Sequence, residues 1–448
     1  MIALVMWGDL VEDFLDPIDV SMHTFVEEMT GGWLFGYVEA LARVDVSTVV
    51  ICVTARVSRP VRRVHRPTGA TMWFLPASAA YRRVRRWLPA PYACDRRSAR
   101  EGLRGLRAGR AMLARHVAPY LSTPALTLGR ILRQEGCRAI LIQEYEEARF
   151  DVCVLLGRWL RLPVYATFQG GDRHRSALEP LIRPHTLHAA AGLIVASRSE
   201  RERLTDRYGL SAARMTAVFN PLDLAQWPSA DRAAARAELG IPQEAKVAVW
   251  HGRVDIRPKG LDVLVDAWEL ACRARPDDDL RLLVVGGGAD DARFRALLAE
   301  RQATGLFWRE GYVIDRSKIR PYLDAADLYV FSSRHEGFPV AVVEAMACGL
   351  PVLAADAPGV RDILAAGAAD GGVIVPREDP LALAAGINRM LDDLSGCRRL
   401  GILARARVEA AFSPQAVGEQ LRAALTPPRT RRPRAVRWHR TDGVASGR

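Results

Sequence analysis

Short apolar runs recur along the chain, each followed by a longer stretch with the 3.6-residue period of a helix. In the first half, Ile2 to Trp7, Thr48 to Val53, Ala139 to Ile142, Val164 to Phe168 and Leu193 to Ala196 read as buried strands. In the second half, Val247 to Trp250, Leu282 to Val285, Leu328 to Phe331 and Pro351 to Ala355 read the same way. Strands alternating with helices predict an α/β fold of mostly parallel, doubly wound sheets, with ligands held beyond the strands' carboxyl ends. The 448 residues are enough for two such units, each with its own core. We divide them into residues 1–220, a linker and hinge at 221–245 after Asn220-Pro221-Leu222-Asp223, and a second unit at 246–400. Residues 401–426 read as C-terminal helices and 427–448 as a basic, disordered tail.

The second unit carries the densest candidate chemistry. Residues 336 to 344 read Glu-Gly-Phe-Pro-Val-Ala-Val-Val-Glu, two carboxylates eight positions apart. Eight helical residues advance about 12 Å, so Glu336 is expected in the loop that starts a helix and Glu344 two turns inside, on nearly the same face. The helix ends on Gly349, and Pro351 opens the next strand. Backbone N–H groups at the helix start, near Gly337, Phe338, Pro339 and Val340, suit a phosphate. About 80 residues earlier a strand leads into His251-Gly252-Arg253, and Pro258-Lys259-Gly260 opens another helical run. An arginine fork and a lysine point charge on one loop suit a diphosphate. Lys259 is one of only three lysines in the chain, with Lys246 and Lys318.

Taken in order, Gly252-Arg253, Lys259-Gly260, the strand into Gly286-Gly287-Gly288, Gly311-Tyr312-Val313 and Glu336 through Glu344 to Pro351 resemble the retaining glycosyltransferases of family 4, over roughly residues 245 to 365. The resemblance implies the GT-B fold, two facing Rossmann-like domains with a cleft between them and last helices, near 398 to 425, that cross back to the first domain. It implies a nucleotide-diphosphate sugar as co-substrate, a UDP-sugar ahead of a GDP-sugar, with no metal required. Arg253 and Lys259 would stabilise the departing diphosphate, and Glu336 would hold sugar hydroxyls. Glu344 would accept from the ribose, and the backbone near Gly252, Tyr312 and Val313 would contact the nucleotide, with Gly337, Phe338, Pro339 and Val340 shaping the sugar wall.

In the first unit, Gly31-Gly32 resembles the glycine pair that lets the donor phosphate approach, possible because glycine has no Cβ. Gln169-Gly170-Gly171-Asp172 stands where relatives carry a His-Gly-x-Asp run. Gln169 can donate and accept hydrogen bonds but cannot titrate, which leaves a sugar-positioning role. Residues 8 to 30 form a long loop with Asp9, Glu12, Asp13, Asp16, Asp19, Glu27 and Glu28 and no Lys or Arg. A cationic acceptor is one reading of it, and a solvated loop is the other. Asp277-Asp278-Asp279 follows Pro276 and reads as a turn rather than a metal site.

Charge sharpens this picture. The net charge is +12, but residues 56–115 hold sixteen arginines against Asp95 and Glu101, and residues 427–448 hold seven against Asp442. These two segments carry all the positive excess, and the rest of the chain is net negative. In Tyr81-Arg82-Arg83-Val84-Arg85-Arg86-Trp87-Leu88 aromatic residues interleave with arginines, a pattern suited either to an anionic membrane surface or to a solvated helical insertion. The seven cysteines are scattered singly, which fits a reducing compartment and no zinc site. With no signal-like start and no span-length apolar run, the expected location is cytoplasmic, at most peripheral to the inner face of a membrane. Arginine in place of lysine, with abundant alanine, suggests a GC-rich bacterial gene. The expected acceptor is a hydroxyl of a glycolipid, polysaccharide or secondary metabolite. The competing readings are a GT-B phosphorylase or epimerase, and a non-catalytic protein binding polyanions; nucleic acid is not an expected partner.

Overall fold

The computed structural model describes residues 1–30, 32–85, 116–169, 176, 178–228, 231–313, 315–336 and 338–426. Fourteen strands among them form two sheets. The first contains β1 (Ile2–Val5), β2 (Thr48–Thr54), β3 (Val61–Val64), β4 (Thr71–Pro76), β5 (Ala139–Ile142), β6 (Val164–Thr167), β7 (Gly192–Ile194) and β8 (Met215–Thr216), in the order β3-β4-β2-β1-β5-β6-β7-β8. The second contains β9 (Lys246–His251), β10 (Leu280–Gly286), β11 (Leu306–Glu310), β12 (Leu328–Phe331), β13 (Val352–Ala355) and β14 (Gly372–Val375), in the order β11-β10-β9-β12-β13-β14. Every pairing is parallel except β3 with β4. Parallel strands need crossovers, and helices supply them, so both faces of each sheet are covered and the inner strands are largely apolar, while the edge strands β3 and β11 are mostly exposed.

The pleat sorts those apolar residues. Leu4 enters the core on one face of the first sheet, whereas Ala3 and Val5 enter the core on the other. Val247 and Val249 likewise face one core of the second sheet, and Ala248 and Trp250 the other. Each domain is thus three layers around two apolar cores, with a period of two along each strand.

Three expectations about organisation change. The segment 221–245 is not bare chain, because it carries the helix Arg232–Leu239, and Arg232 and Arg236 converge on the buried Asp327 carboxylate, the latter at 2.8 Å. Leu222, Trp227, Ile241 and Ala245 join the second domain's core. The arginine-rich region begins as part of the first sheet, since β3 and β4 lie within 56–115 and pair edge to edge. Its remainder, 86–115, and the tail 427–448 lie outside the described residues. Of the C-terminal helices, Leu394–Ala411 packs in the second domain, and only Pro414–Ala424 crosses to the first, against the helix Gly32–Arg43. Gly418 makes that crossing possible, as a Cβ there would collide with the Ala40 carbonyl.

Candidate active site

In both sheets the chain reverses winding direction at a central strand, β1 in the first and β9 in the second. Strands next to such a switch point part at their carboxyl ends and leave a crevice. The two crevices face each other and merge into one cleft of about 520 Å³.

The C-terminal wall is built from the carboxyl ends of β9, β10, β11 and β12 and the loops after them. Gly252 and Arg253 come after β9, Tyr312 and Val313 after β11, and Glu336 after β12; all line the cleft with Lys259, Val340 and Glu344. Lys259 ends a short helix, Ile256–Lys259, that Gly260 turns with φ of 62°. A side chain at Gly260 would strike the Ser332 carbonyl, so the lysine loop and the strand leading to Glu336 touch only because this residue is glycine. The result is a 2.6 Å contact between Lys259 Nζ and Glu336 Oε1, to which Ser333 Oγ donates a second hydrogen bond at 2.8 Å. Arg253 lies beside Asp255 at 3.4 Å.

Glu344 lies one turn inside the helix Val340–Ala347, rather than two, because the helix starts only at Val340. Its Oε2 takes a 2.8 Å hydrogen bond from His251 Nε2 and lies 3.4 Å from an Arg316 nitrogen. Burial opposes its charge, but the Arg316 guanidinium and the His251 contact outweigh burial and hold the carboxyl below the usual glutamate value. Glu344 therefore presents a fixed anion to the cleft.

Other expected site residues fall elsewhere. Phe338 is 7% exposed and packs among Phe219 and Phe412, at 5.4 and 6.0 Å between ring centroids. With Pro339 it borders a smaller adjoining cavity of about 180 Å³, not the main cleft. The Val340 N–H, expected to await a phosphate, donates to the Phe338 carbonyl at 2.9 Å. Gly32 starts the helix Gly32–Arg43, and its neighbour Trp33 lines the cleft. Gly31 and Gly337 lie outside the described residues, as do Gly170, Gly171 and Asp172. Asp278 is paired with Lys246 at 2.8 Å and Arg275 at 2.7 Å, and Asp279 with Arg281. Among the described residues no group of three or more potential metal ligands converges.

The N-terminal wall holds residues that the sequence did not single out. Gln143, Glu144 and Glu147 come after β5 and line the cleft with Gln169, which comes after β6. Glu144 accepts hydrogen bonds from the N–H groups of Gln169 at 3.1 Å and Glu146 at 3.3 Å. Burial, with Glu146 beside it, raises Glu144 from 4.5 to about 8. The Gln169 side chain is clamped by Asn220, whose amide donates to it at 2.9 Å. Position was the available signal, since polar residues directly after a buried parallel strand stand where such folds bind ligands.

The acidic segment 8–30 is not an open loop. It folds into a π-helical turn at Val11–Leu15, a 3-10 turn at Asp16–Ile18 and a helix at Met22–Glu27. Three of its acids are tied to the rest of the first domain: Glu12 accepts from Thr54 Oγ1 and the Ala55 N–H, Asp16 pairs with Arg56, and buried Asp9 faces Arg149 at 3.5 Å. None of its described acidic side chains lines the cleft, whereas Leu10, Phe14, Phe25 and Met29 do. The described acids of this segment therefore give no support to a cationic acceptor.

Residues 245–393, which carry the whole C-terminal wall, match the family model described as Glycosyl transferases group 1. These residues form a group 1 glycosyltransferase domain. The chain is similar to the D-inositol 3-phosphate glycosyltransferase of Kineococcus radiotolerans, 32% identical over 258 residues, which cover 54% of this chain and 59% of that one. It is similar also to the enzyme of the same name from Nocardia farcinica, 35% identical over 231 residues, covering 50% of each. The chain thus spans about half to three-fifths of these relatives' lengths. Among solved structures, sucrose-phosphate synthase from Thermosynechococcus elongatus superposes with a TM-score of 0.66 at 22% identity, over 94% of this chain and 97% of that one. Anabaena HepE in complex with UDP gives 0.66 at 15% identity, over 95% and 99%. These likenesses show the GT-B fold, in which the group 1 domain faces its N-terminal partner across the cleft.

Proposed function

We propose that the chain transfers a sugar from a nucleotide-diphosphate sugar to an acceptor hydroxyl, with retention of configuration. The observation that carries this reading is the convergence of Arg253, Lys259, Glu336 and Glu344 on one cleft wall. Glu344 accepts from the ribose, and the backbone near Tyr312 and Val313 meets the base. Arg253 and Lys259 take the diphosphate, whose charge draws Lys259 away from Glu336. The freed Glu336 carboxylate then accepts from sugar hydroxyls and fixes the anomeric carbon. The bond from that carbon to the diphosphate oxygen breaks, the acceptor oxygen bonds to the same face, and its proton passes to the leaving diphosphate. No protein nucleophile is required, because the chain supplies position and electrostatics. Two cations at the diphosphate, Arg253 and Lys259, make a metal unnecessary in this reading.

UDP is the preferred nucleotide; the complex of the fold neighbour HepE with UDP is consistent with that choice. The test is to incubate the purified chain with a panel of UDP- and GDP-sugars and follow nucleotide release, with and without a chelator. Release of UDP that persists with chelator, and a product anomer matching the donor by NMR, is the expected result. An inverted product, or cleavage that depends on added phosphate, would overturn the reading.

A further inference from the structure

The chain passes from the first domain's core at Val218 to the second's at Leu222, and the residues between them each hold a different element around the cleft. Phe219 packs on Phe338, two residues after Glu336, with ring centroids 5.4 Å apart. Asn220, 5% exposed, forms a reciprocal amide pair with Gln169 of the N-terminal wall: its Nδ2 donates to Gln169 Oε1 at 2.9 Å, and its Oδ1 accepts from Gln169 Nε2 at 3.4 Å. Pro221 seats against Gly36, where a Cβ would come within 3.1 Å of the proline ring. Gly36 belongs to the helix Gly32–Arg43, which also carries the cleft-lining Trp33.

The return crossing is tied to the same point. Phe412 stands between the helix Leu394–Ala411 and the crossing helix Pro414–Ala424. Its ring lies 5.1 Å from Phe219 and 6.0 Å from Phe338, and its carbonyl accepts from the Leu222 N–H at 2.8 Å. Three rings, one from each crossing and one from the loop after Glu336, therefore pack as a unit, and close-packed side chains leave little room to move singly. Pro221 fixes its own φ and restricts Asn220 to extended backbone, so a shift of Phe219 is carried to the Asn220 amide.

We propose that Phe219 and Asn220 are positioning residues that set the register between the two walls, Phe219 through Phe338 to Glu336 and Asn220 through Gln169. The inference rests on the glycosyltransferase reading, in which the transferred sugar lies between Glu336 and Gln169 while the nucleotide is held by the C-terminal wall. Nucleotide binding is then indifferent to the register and turnover depends on it, since misplacing a positioned group by about 1 Å can cost about a hundredfold.

The test uses the full chain and measures nucleotide release from a UDP-sugar at saturating donor, beside UDP affinity by calorimetry. Asn220→Ala and Gln169→Ala should each lower turnover about tenfold or more and leave UDP affinity within about threefold of wild type. Their double variant should be no worse than Gln169→Ala alone, because Asn220 acts through Gln169. Phe219→Leu, which keeps an apolar side chain but removes the ring, should lower turnover with the same indifference to UDP, and combining it with Asn220→Ala should cost less than the product of the single losses. Wild-type turnover in Asn220→Ala would overturn the proposal, as would losses that multiply in either double variant or a fall in turnover matched by an equal loss of UDP affinity. The Asn220 and Gln169 variants decide the matter even if Phe219→Leu fails to fold. A wild-type chain that neither binds UDP nor turns over a UDP-sugar would instead count against the glycosyltransferase reading.

Discussion

Glu336 and Lys259 hold each other at 2.6 Å in a partly buried cleft, and in the proposed function the donor's diphosphate breaks that contact. Glu344, by contrast, is fixed by His251 and Arg316 and need not move. This difference separates their expected variants. Glu344→Gln should weaken UDP binding by about tenfold or more, the scale of a hydrogen bond to a charged group. Turnover at saturating donor should change only a few-fold, and calorimetry beside steady-state rates would check both. Glu144 makes a pH prediction. It keeps its proton to about pH 8 when folded but only to about 4.5 when unfolded, so between these values the folded chain binds more protons. Its contribution is therefore complete below 4.5 and is lost as pH rises towards 8, at most about 1.4 kcal/mol per pH unit. Urea unfolding at pH 5 and 7.5 should show a larger loss for the wild type than for Glu144→Gln, and equal losses would contradict the assignment. Arg253, Lys259, Glu336 and Glu344 were legible in the sequence because their spacing is local to loops and one helix. Gln143, Glu144 and Trp33 were not, because their meaning comes from a wall that only the opposed sheets create.

Elements were legible where burial makes a strand apolar on both faces, as in β1, β5 and β9, and less so elsewhere. β3 escaped because Val61-Arg62-Arg63-Val64 is a mostly exposed edge strand whose arginines resemble an insertion. The segment 8–30 escaped because Asp9, Glu12 and Asp16 are spent on Arg149, Thr54, Ala55 and Arg56, partners distant in sequence. Helix contacts give a prediction whose sign is informative. In an open helix Gly→Ala gains about 1 kcal/mol, yet Gly418 lies against the Ala40 carbonyl with no room for a methyl group. Gly418→Ala should therefore lower the melting temperature, and a rise would show that Pro414–Ala424 does not pack on Gly32–Arg43 as described. A second pairing, between the helices Ala148–Leu160 and Glu179–Ala189, rests on Asp151 and Arg183, both fully buried and 2.9 Å apart. Asp151→Ala should cost about 3–5 kcal/mol in a denaturant titration, since it strands a buried guanidinium.

At the scale of the whole molecule, the two domains meet at a few defined points besides the crossing helix. Tyr312 packs against the first domain's core, and Asp362 accepts from the Arg198 N–H at 3.1 Å. The GT-B arrangement was legible from the alternation of strands and helices and from one ordered set of motifs. The lining of the N-terminal wall was not, because the charge of residues 8–30 left a cationic acceptor and a solvated loop both open while their fold turns Leu10, Phe14, Phe25 and Met29 to the cleft. Among the described residues no helix is long and apolar enough to cross a membrane. A ligand held between domains stabilises the folded chain by mass action, about 2.7 kcal/mol at a hundred times its dissociation constant, so saturating UDP should raise the melting temperature. The most direct test of the account is donor turnover in Lys259→Ala and Glu336→Ala, each first shown to be folded by circular dichroism and melting. The account predicts a fall of at least about a hundredfold in each, the scale of losing one electrostatic contact to the transition state. Near-wild-type turnover in either variant would contradict it.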